Sequence, residues 1–358
     1  MASTCLQAAN RIARFTQHNP QNPGGLPGFF VSVSYIHLQQ LLCLPPDSGT
    51  IPVFVAATGY AMIYGSIVAL VTPMSADGRL DFAALKQLVD FHVREKTDAI
   101  VIVGTTGESP AVDIHEHRQL IEKCVEFADQ RIPVIAGTGA NSTAEAVELS
   151  RFAKAAGVAA TLSVVPYYNK PTQEGIYRHF ATIAEKVAID LILYNVPGRT
   201  VVDMSNETVL RLAEIPNIIG LKDATGNIAR ASDLIEQTKD LETTFALYSG
   251  DDATALASLF LGYHGVISVT ANVAPYLMHK MCAAMRTGHP DTAREIHFRL
   301  AGLHRELFVE TSPAPVKWAL NKMGMIEDVI RLPLVSLSEA GQHKVIAAMH
   351  QAGITKNQ

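Results

Sequence analysis

The fold is decided by a stretch at residues 99–136, which reads AIVIVGTTGESPAVDIHEHRQLIEKCVEFADQRIPVIA. An apolar, β-branched run at Ala99–Val103 leads into an amphipathic segment at His115–Ala128, and a second apolar run follows at Pro133–Ala136. Both runs are continuously apolar, without the polar alternation of a half-exposed strand, which is typical of parallel strands covered on both faces. The stretch therefore predicts a strand, a helix and a second, parallel strand.

The same alternation of apolar runs and amphipathic segments repeats from residue 66 to residue 269. The predicted strands are Ser66–Val71, Ala99–Val103, Pro133–Ala136, Ala160–Val165, Asp190–Tyr194, Ile218–Leu221, Thr244–Tyr248 and Gly265–Val269. The predicted helices between them are Asp81–Glu95, His115–Ala128, Thr143–Ala156, Thr172–Lys186, Ser205–Ala213, Ala229–Lys239 and Ala253–Leu261. Eight such units favour a closed (β/α)8 TIM barrel of the α/β class over the competing doubly wound sheet.

Beyond residue 275 the strand pattern stops and only helical segments follow. These are predicted at Pro275–Arg286, Asp291–Val309, Pro315–Met323 and Ser338–His350. We therefore predict a barrel domain at residues 62–275 and a C-terminal helical region at 276–358, suited to packing or oligomerisation. Short polar side chains are predicted to cap four of the barrel helices, namely Asp81, Thr143, Ser205 and Asp252.

The first 61 residues differ in composition from the rest of the chain. Their only charged side chains are Arg11, Arg14 and Asp47. Their apolar runs are interrupted by polar residues or are shorter than the ~20 residues of a membrane-spanning helix, so we expect no membrane segment. We expect residues 1–61 to be an extension outside the folded domain, and a chain that begins at Met62 to fold and function.

Composition excludes several classes of protein. With 48% hydrophobic residues and a net charge of −5, the 358-residue chain can bury a large core but offers no basic surface to nucleic acid. The four cysteines have no metal-ligand spacing, which indicates a reducing, cytoplasmic compartment. The Gly137–Ser142 loop lacks the third glycine of a dinucleotide site, and a helix cap explains Asp251-Asp252 more simply than a metal does. We expect neither metal nor cofactor.

Lys222 is the most informative residue at the carboxyl ends of the predicted strands. It ends the apolar run Ile218–Leu221, and in a barrel the carboxyl ends of the strands form the rim where catalytic groups lie. Desolvation at that mouth lowers the pKa of a lysine and makes its amine a nucleophile toward carbonyl carbons. A structural lysine paired with a rim carboxylate explains Lys222 equally well when it is taken alone.

Other residues of the same rim favour chemistry on a keto acid. Tyr194 and Thr105 lie at the ends of two strands, and their hydroxyls can transfer protons without adding charge. Arg199 follows in a Gly-Arg-Thr turn, where its planar guanidinium suits a carboxylate. Alone, each is more often structural, but together with a lysine at a strand end they indicate imine formation with an anionic keto acid.

Five segments, taken in order, resemble the 4-hydroxy-tetrahydrodipicolinate synthase (dihydrodipicolinate synthase) family. They are Gly104-Thr-Thr-Gly-Glu-Ser109, Pro166-Tyr-Tyr-Asn-Lys-Pro171, Leu193-Tyr-Asn-Val-Pro-Gly-Arg199, Ile219-Gly-Leu-Lys-Asp-Ala-Thr-Gly226 and Gly265-Val-Ile-Ser-Val-Thr-Ala-Asn272. The resemblance runs from about Met62 to the C-terminus. It implies a class I, pyruvate-dependent lyase that condenses pyruvate with L-aspartate 4-semialdehyde in the diaminopimelate route of lysine biosynthesis.

The resemblance also implies a role for each matching residue. The catalytic positions are Lys222, Tyr194, Thr105 and Tyr168. The substrate-binding positions are Thr106, Arg199, Gly250 and Ile267. Lys222 would form the imine with pyruvate, so that no further cofactor is needed, and Tyr168 would be lent to the proton relay by a neighbouring subunit. The implied assembly is a homotetramer, a dimer of dimers.

An inhibitor cleft for lysine is implied as well. Its matching residues are Ser109, His117, Asn141, Glu145 and Tyr167. However, Ile114 stands where lysine-sensitive members often have histidine, and Pro110 replaces a common alanine. We therefore expect weak or absent inhibition by lysine.

Two other kinds of function stay open at this point. N-acetylneuraminate lyases and 2-keto-3-deoxy-sugar-acid aldolases use the same lysine and the same pyruvate half, but take another second substrate. Arg199 and the double tyrosine at 167–168 favour the synthase. A non-catalytic, lysine-sensing barrel is the remote alternative, and it is disfavoured because a binding protein needs no proton relay.

Overall fold

The computed structural model describes residues 62–241 and 243–354. The predicted extension at residues 1–61 lies outside the described residues, as do the last four residues of the chain. The described strands are β1 (Gly65–Ala69), β2 (Ala99–Ile102), β3 (Val134–Gly137), β4 (Ala160–Val164), β5 (Leu191–Asn195), β6 (Ile218–Asp223), β7 (Ala246–Ser249) and β8 (Gly265–Ser268). They form a closed parallel barrel in sequence order, and β8 pairs with β1 at Ile267 and Ile67. The predicted barrel is confirmed, and closure excludes the doubly wound sheet.

Helices follow the strands and form the outer layer of the barrel. They are α1 (Phe82–Arg94), α2 (Ile114–Ala128), α3 (Thr143–Ala156), α4 (Gln173–Lys186), the short α5 (Pro197–Thr200), α6 (Asn206–Ala213), α7 (Ile228–Thr238) and α8 (Ala255–Leu261). The C-terminal helices are α9 (Pro275–Arg286), α10 (Pro290–Glu306), α11 (Ala314–Lys322) and α12 (Glu339–Ala352). The predicted C-terminal helices are thereby confirmed. Helix α9 contacts β1, and α10 packs against α12.

The strands are apolar on both faces because each face is buried in a different layer. One layer fills the barrel and includes Ile67, Val101, Ile135, Leu162, Ile192 and Tyr248. The other lies between the strands and the helices and includes Leu85, Ile121 and Phe180. Successive strand residues point alternately to these layers. None of the helices in the described part of the chain has the length and apolar character needed to cross a bilayer.

Three of the four predicted helix caps, Asp81, Thr143 and Ser205, lie at the starts of helices. Two are confirmed and one is displaced by one residue. The side chains of Asp81 and Ser205 accept hydrogen bonds from the first turns of α1 and α6, as predicted. The prediction for Thr143 is wrong by one residue, because α3 begins at Thr143 itself. The preceding Ser142 is the cap, and its hydroxyl accepts from the backbone N–H of Glu145.

Candidate active site

A cavity of about 340 Å³ opens at the carboxyl ends of the strands. Its walls include most of the residues predicted for catalysis and substrate binding, namely Lys222, Tyr194, Thr105, Thr106, Arg199, Gly250 and Ile267. These residues come from the ends of different strands or from the loops that follow them. Closure of the barrel therefore brings together side chains that lie far apart in the sequence.

Lys222 lies near the end of β6 and is 94% buried, with 6% of its surface exposed. It pairs in register with Tyr194 of β5, and its Nζ lies 4.1 Å from the centroid of the Tyr194 ring. An aromatic face at that distance attracts a cation and holds the flexible lysine side chain in one direction. The amine therefore projects beside the tyrosine into the cavity, where it can meet a carbonyl carbon.

The two threonines lie on a tight turn directly after β2. The backbone N–H of Glu108 donates to the carbonyl of Thr105 at 3.1 Å, and that of Gly107 donates to Gly104 at 3.0 Å. The hydroxyl of Thr72 donates to the carbonyl of Gly107 at 2.7 Å and ties the turn to the end of β1. These bonds fix the positions of Thr105 and Thr106 at the mouth of the barrel.

Arg199 lies on the short helix α5 and is an exposed cation of the cavity wall. Its Nη2 donates to the carbonyl of Ser312 at 3.3 Å, which leaves the rest of the guanidinium for a ligand. A planar guanidinium at the rim can hold a carboxylate with two parallel hydrogen bonds. The predicted role of Arg199 is thus compatible with its place, on the solvent side of Lys222 and Tyr194.

Tyr168 is the predicted catalytic residue that does not line the cavity. Its surface is 90% exposed, and its backbone has a left-handed φ of 72°. An aromatic side chain rarely stands so far out in water. Within one chain, Tyr168 therefore cannot take part in the chemistry at Lys222, and any role must be played toward another molecule.

The residues that directly follow Tyr194 and Lys222 form a network that our sequence reasoning missed. Asn195 donates from Nδ2 to Asp203 at 2.7 Å and to Asp223 at 3.3 Å, while Thr225 donates to Asp223 at 2.7 Å. Burial raises the pKa of Asp223, against the hydrogen bond from Thr225 and the nearby charge of Arg230, which lower it. Asn195 and Asp223 could have been found from the sequence, because they directly follow Tyr194 and Lys222.

The predicted role of Asp252 as a helix cap is wrong. Its Oδ2 accepts from the backbone N–H groups of Val269 and Thr270, at 3.0 and 2.9 Å, and so fixes the loop after β8. Helix α8 begins later, at Ala255, and Asp251 accepts from the N–H of Thr254 in front of it. Among residues 62–241 and 243–354, no group of three or more His, Cys, Asp and Glu side chains is placed to hold a metal ion.

The C-terminal region supplies part of the cavity wall, which sequence patterns did not indicate. The residues concerned are His304, Arg305, Phe308 and Ser312. The imidazole Nδ1 of His304 lies 2.9 Å from the hydroxyl of Thr270, and burial lowers the pKa of this histidine while Asp252 opposes the shift. The C-terminal region therefore closes one side of the site in addition to packing against the barrel.

A second cavity, of about 330 Å³, adjoins the first through Thr105 and Arg199, which line both. It contains most of the predicted inhibitor residues, namely Ser109, His117, Glu145 and Tyr167, together with Pro110 and Ile114. Asn141 is not among its lining residues, and its carbonyl accepts from Asn169 at 2.9 Å. Burial lowers the pKa of His117, whose Nε2 lies 2.8 Å from the carbonyl of Gly137.

Comparison with known proteins points to one family. Residues 62–352 match the model of the dihydrodipicolinate synthetase family. A 4-hydroxy-tetrahydrodipicolinate synthase from Dechloromonas aromatica is 64% identical over 294 residues, which are 82% of this chain and 99% of that protein.

Solved structures agree with this match. The chloride-inhibited dihydrodipicolinate synthase from Acinetobacter baumannii, complexed with pyruvate, is 52% identical with a TM-score of 0.80, and the match covers 82% of this chain and all of that one. The enzyme from Cyanidioschyzon merolae with lysine bound is 38% identical with a TM-score of 0.78, over 82% of this chain and 99% of that one. The chain belongs to the dihydrodipicolinate synthetase family.

Proposed function

We propose that this chain is a lyase that condenses pyruvate with L-aspartate 4-semialdehyde, giving 4-hydroxy-tetrahydrodipicolinate in the diaminopimelate route of lysine biosynthesis. The observation that carries the proposal is the buried amine of Lys222 in one cavity with Tyr194, Thr105 and Arg199. A nucleophilic amine, proton-transferring hydroxyls and a carboxylate-binding cation are the groups that imine chemistry on a keto acid requires.

With these groups in one cavity, the condensation can proceed through an imine and an enamine on Lys222. The amine of Lys222 adds to the keto carbon of pyruvate, and loss of water leaves an imine. Loss of a methyl proton gives an enamine, whose terminal carbon attacks the aldehyde carbon of the semialdehyde. The amino group of that second substrate then attacks the imine carbon, which closes the ring and releases the amine of Lys222. Tyr194 and Thr105 carry the protons, and Arg199 holds a substrate carboxylate.

Borohydride reduction in the presence of pyruvate, followed by peptide mapping, tests the first step. Borohydride converts the imine to a stable secondary amine, so we expect the adduct on the peptide that contains Lys222. Lys222→Met should form no adduct, whereas a matched control at an exposed lysine, Lys239→Met, should form it as the unchanged protein does. An adduct elsewhere, or none, would overturn the proposed role of Lys222.

The second substrate is tested by product formation. We expect turnover with pyruvate and aspartate semialdehyde, and none with pyruvate and N-acetylmannosamine or with sugar-derived aldehydes. Activity should persist after dialysis against a chelator, because we propose that the covalent imine on Lys222 is the reaction's only activating group. Turnover that prefers a sugar substrate would assign the chain to the alternative lyases. A cytoplasmic location stays a prediction.

We also propose that the chain assembles as a homotetramer, a dimer of dimers. Two exposed features favour self-association, since large apolar groups are costly in water. One is Tyr168, and the other is an apolar groove that includes Ile228, Leu256, Phe260 and Phe298, in which Phe260 is 71% and Phe298 63% exposed. We assign both to contacts with further copies of the same chain.

Complementation tests whether Tyr168 completes the site of another subunit. Tyr168→Phe and Lys222→Met should each be nearly inactive as pure proteins. Co-expressed, they should regain activity, because one site of each mixed pair combines an intact Lys222 with an intact Tyr168. No recovery in confirmed mixed assemblies would show that Tyr168 is not shared.

Phe260→Glu tests whether the apolar groove is a contact between subunits. It should reduce the assembly to dimers in analytical ultracentrifugation, and a fully tetrameric Phe260→Glu would contradict the use of that groove.

We propose that lysine binds weakly in the second cavity. Glu145 can hold an ammonium group there, but His117 is largely buried and engaged with the carbonyl of Gly137, and Ile114 offers no polar atom. We expect little inhibition at low lysine concentration, and stronger inhibition in Ile114→His, which adds a polar side chain to the wall. A tight and complete block of the unchanged protein by low lysine would refute this reasoning.

A further inference from the structure

A buried ion pair joins the turn that carries Thr105 and Thr106 to the C-terminal region. Nζ of Lys317, on α11, lies 2.5 Å from Oε1 of Glu108, and each side chain is only 1% exposed. The other carboxylate oxygen of Glu108 accepts from the backbone N–H of Arg331 at 3.1 Å. The carboxylate of Glu108 is therefore held by residues that follow the barrel, although Glu108 belongs to the turn after β2.

Stability alone does not explain this arrangement. Removing two charges from water is costly, and a buried ion pair is often no more stabilising than apolar side chains of the same size. Ion pairs of this kind do impose one geometry, because an unpaired charge in the same place is strongly disfavoured. The pair therefore acts as a constraint on where Glu108 can lie.

The backbone of Glu108 shows what that constraint fixes. Glu108 has a left-handed φ of 59°, a conformation that is unfavourable for side chains with a Cβ. In this conformation its N–H donates to the carbonyl of Thr105 and closes the turn. Neither Glu108 nor Lys317 lines the catalytic cavity, but Thr105 and Thr106 do. Any displacement of Glu108 would therefore be passed to the two hydroxyls.

Arg331, the second C-terminal residue that contacts Glu108, is itself held in place by several hydrogen bonds. The guanidinium of Arg331 binds both carboxylate oxygens of Glu116 on α2, at 2.5 and 2.6 Å, and also donates to the carbonyl of Ala111 at 2.9 Å. A two-bond arginine–carboxylate contact fixes orientation as well as distance. The segment that contacts Glu108 is thus anchored independently of the turn.

We propose that Lys317 is a positioning residue for the condensation, acting through Glu108 to hold the hydroxyl of Thr105 at the distance that proton transfer at the Lys222 imine requires. The proposal rests on the proposed function, since it assigns Lys317 to the proton-transfer steps of that reaction. Lys317 touches no substrate, so its loss should affect the proton-transfer steps that need the Thr105 hydroxyl more than it affects binding of pyruvate.

Lys317→Met tests the proposal, because methionine fills the space of the lysine stem without its charge. We expect kcat to fall by about 10²-fold, the loss typical of a misplacement of about 1 Å. Exchange of pyruvate methyl protons with deuterium oxide, followed by nuclear magnetic resonance, should slow by a similar factor. The borohydride adduct on Lys222 should still form to its full extent. Lys322→Met, on the same helix but exposed, is the matched control and should leave all three measurements unchanged.

Several outcomes decide the matter. If Lys317→Met melts at a lower temperature but keeps its kcat and its exchange rate well below that temperature, the ion pair is only structural and the proposal fails. If Lys317→Met does not fold, Glu108→Gln replaces it, because an amide oxygen can still accept from Lys317; we expect a milder, about tenfold, loss of kcat with unchanged adduct formation. An unchanged kcat in that variant would overturn the proposal. Failure of the unchanged protein to form the Lys222 adduct would instead refute the proposed function.

Discussion

Gly250→Ala would test whether the cavity wall sets the position of the catalytic amine. Gly250 lies in the loop after β7, and its N–H donates to the carbonyl of Asp223 at 2.7 Å. A Cβ at this position would lie 2.9 Å from Cε of Lys222 and 2.8 Å from Cβ of Ala224. Both distances are too short for carbon atoms, so that the Lys222 side chain and the backbone at Gly250 or Ala224 must both move.

The size of the displacement follows from these distances. A separation of 2.9 Å must open to at least about 3.4 Å, which is a shift of about 0.5 Å, and ordinary carbon contacts of up to 4.0 Å would require about 1 Å. The contact with Ala224 can open only through a backbone shift, whereas the contact with Lys222 can also open through its flexible side chain. We therefore expect Lys222 to move, and a 1 Å misplacement of a reacting group costs about 10²-fold in rate, or about 2.7 kcal/mol in the barrier.

The assay compares initial rates of condensation with the rate of borohydride-trapped adduct formation. In Gly250→Ala both should fall together, because imine formation is itself the step that is displaced. Gly198→Ala is the matched control: Gly198 lies on the same rim, beside Arg199, and an added Cβ would meet no atom within 4 Å. A Gly250→Ala protein within twofold of the unchanged rate, or an equal loss in Gly198→Ala, would refute the steric reasoning.

Three further predictions concern proton transfer, the histidines and the loop after β8. Tyr194→Phe keeps the ring beside Lys222 but removes the hydroxyl, so turnover should fall by about 10²- to 10⁴-fold while the pyruvate adduct still forms; unchanged turnover would exclude Tyr194 from the relay. Burial lowers the pKa of His179 to about 4 from 6.5, so its unfolded state binds more protons below pH 6.5 and stability is lost as the pH falls through that range. At pH 5.5 the contribution of His179 to this loss should be about 1.4 kcal/mol. The urea midpoint should therefore depend less on pH in His179→Gln, whereas His115→Gln, at an exposed histidine, should leave the pH dependence unchanged. Asp252→Ala strands two backbone N–H groups and should destabilise the protein by about 1–3 kcal/mol in thermal unfolding, with Asp252→Asn less affected because it keeps an acceptor oxygen.

The strands and helices could be predicted closely because the signals for them are local. A run such as Ala99–Ile102 is apolar on both faces wherever it is placed, and the period of α2 is visible within its own residues. The position of a helix cap can be predicted only to within about one residue. Ser142 and Thr143 show this, because both neighbouring residues carry a hydroxyl that can cap the helix. Closure of the barrel followed from the number of units, because eight parallel strands with covering helices have few other arrangements.

The site was predictable to the extent that it follows strand ends. Lys222, Tyr194 and Thr105 lie at or just beyond the ends of β6, β5 and β2, so chain position alone places them on one rim. The resemblance added roles that position cannot give. Asp252 shows the limit of the local reasoning. A carboxylate before a helix has the chemistry of a cap, but in the folded barrel this one accepts from the N–H groups of Val269 and Thr270 after β8.

The sequence by itself determined the order of strands and helices, the closed barrel, the rim residues and the family resemblance, because each depends on residue patterns within a few turns or on motifs in fixed order. Only the tertiary structure decided that Lys317 faces Glu108 across 209 residues of chain and that residues 304–312 form a wall of the cavity. It likewise decided that Tyr168 stands out in solvent. Contacts of this kind depend on how the C-terminal helices pack against the barrel. The sequence around a charged or aromatic residue does not indicate which distant residue it will contact in the fold.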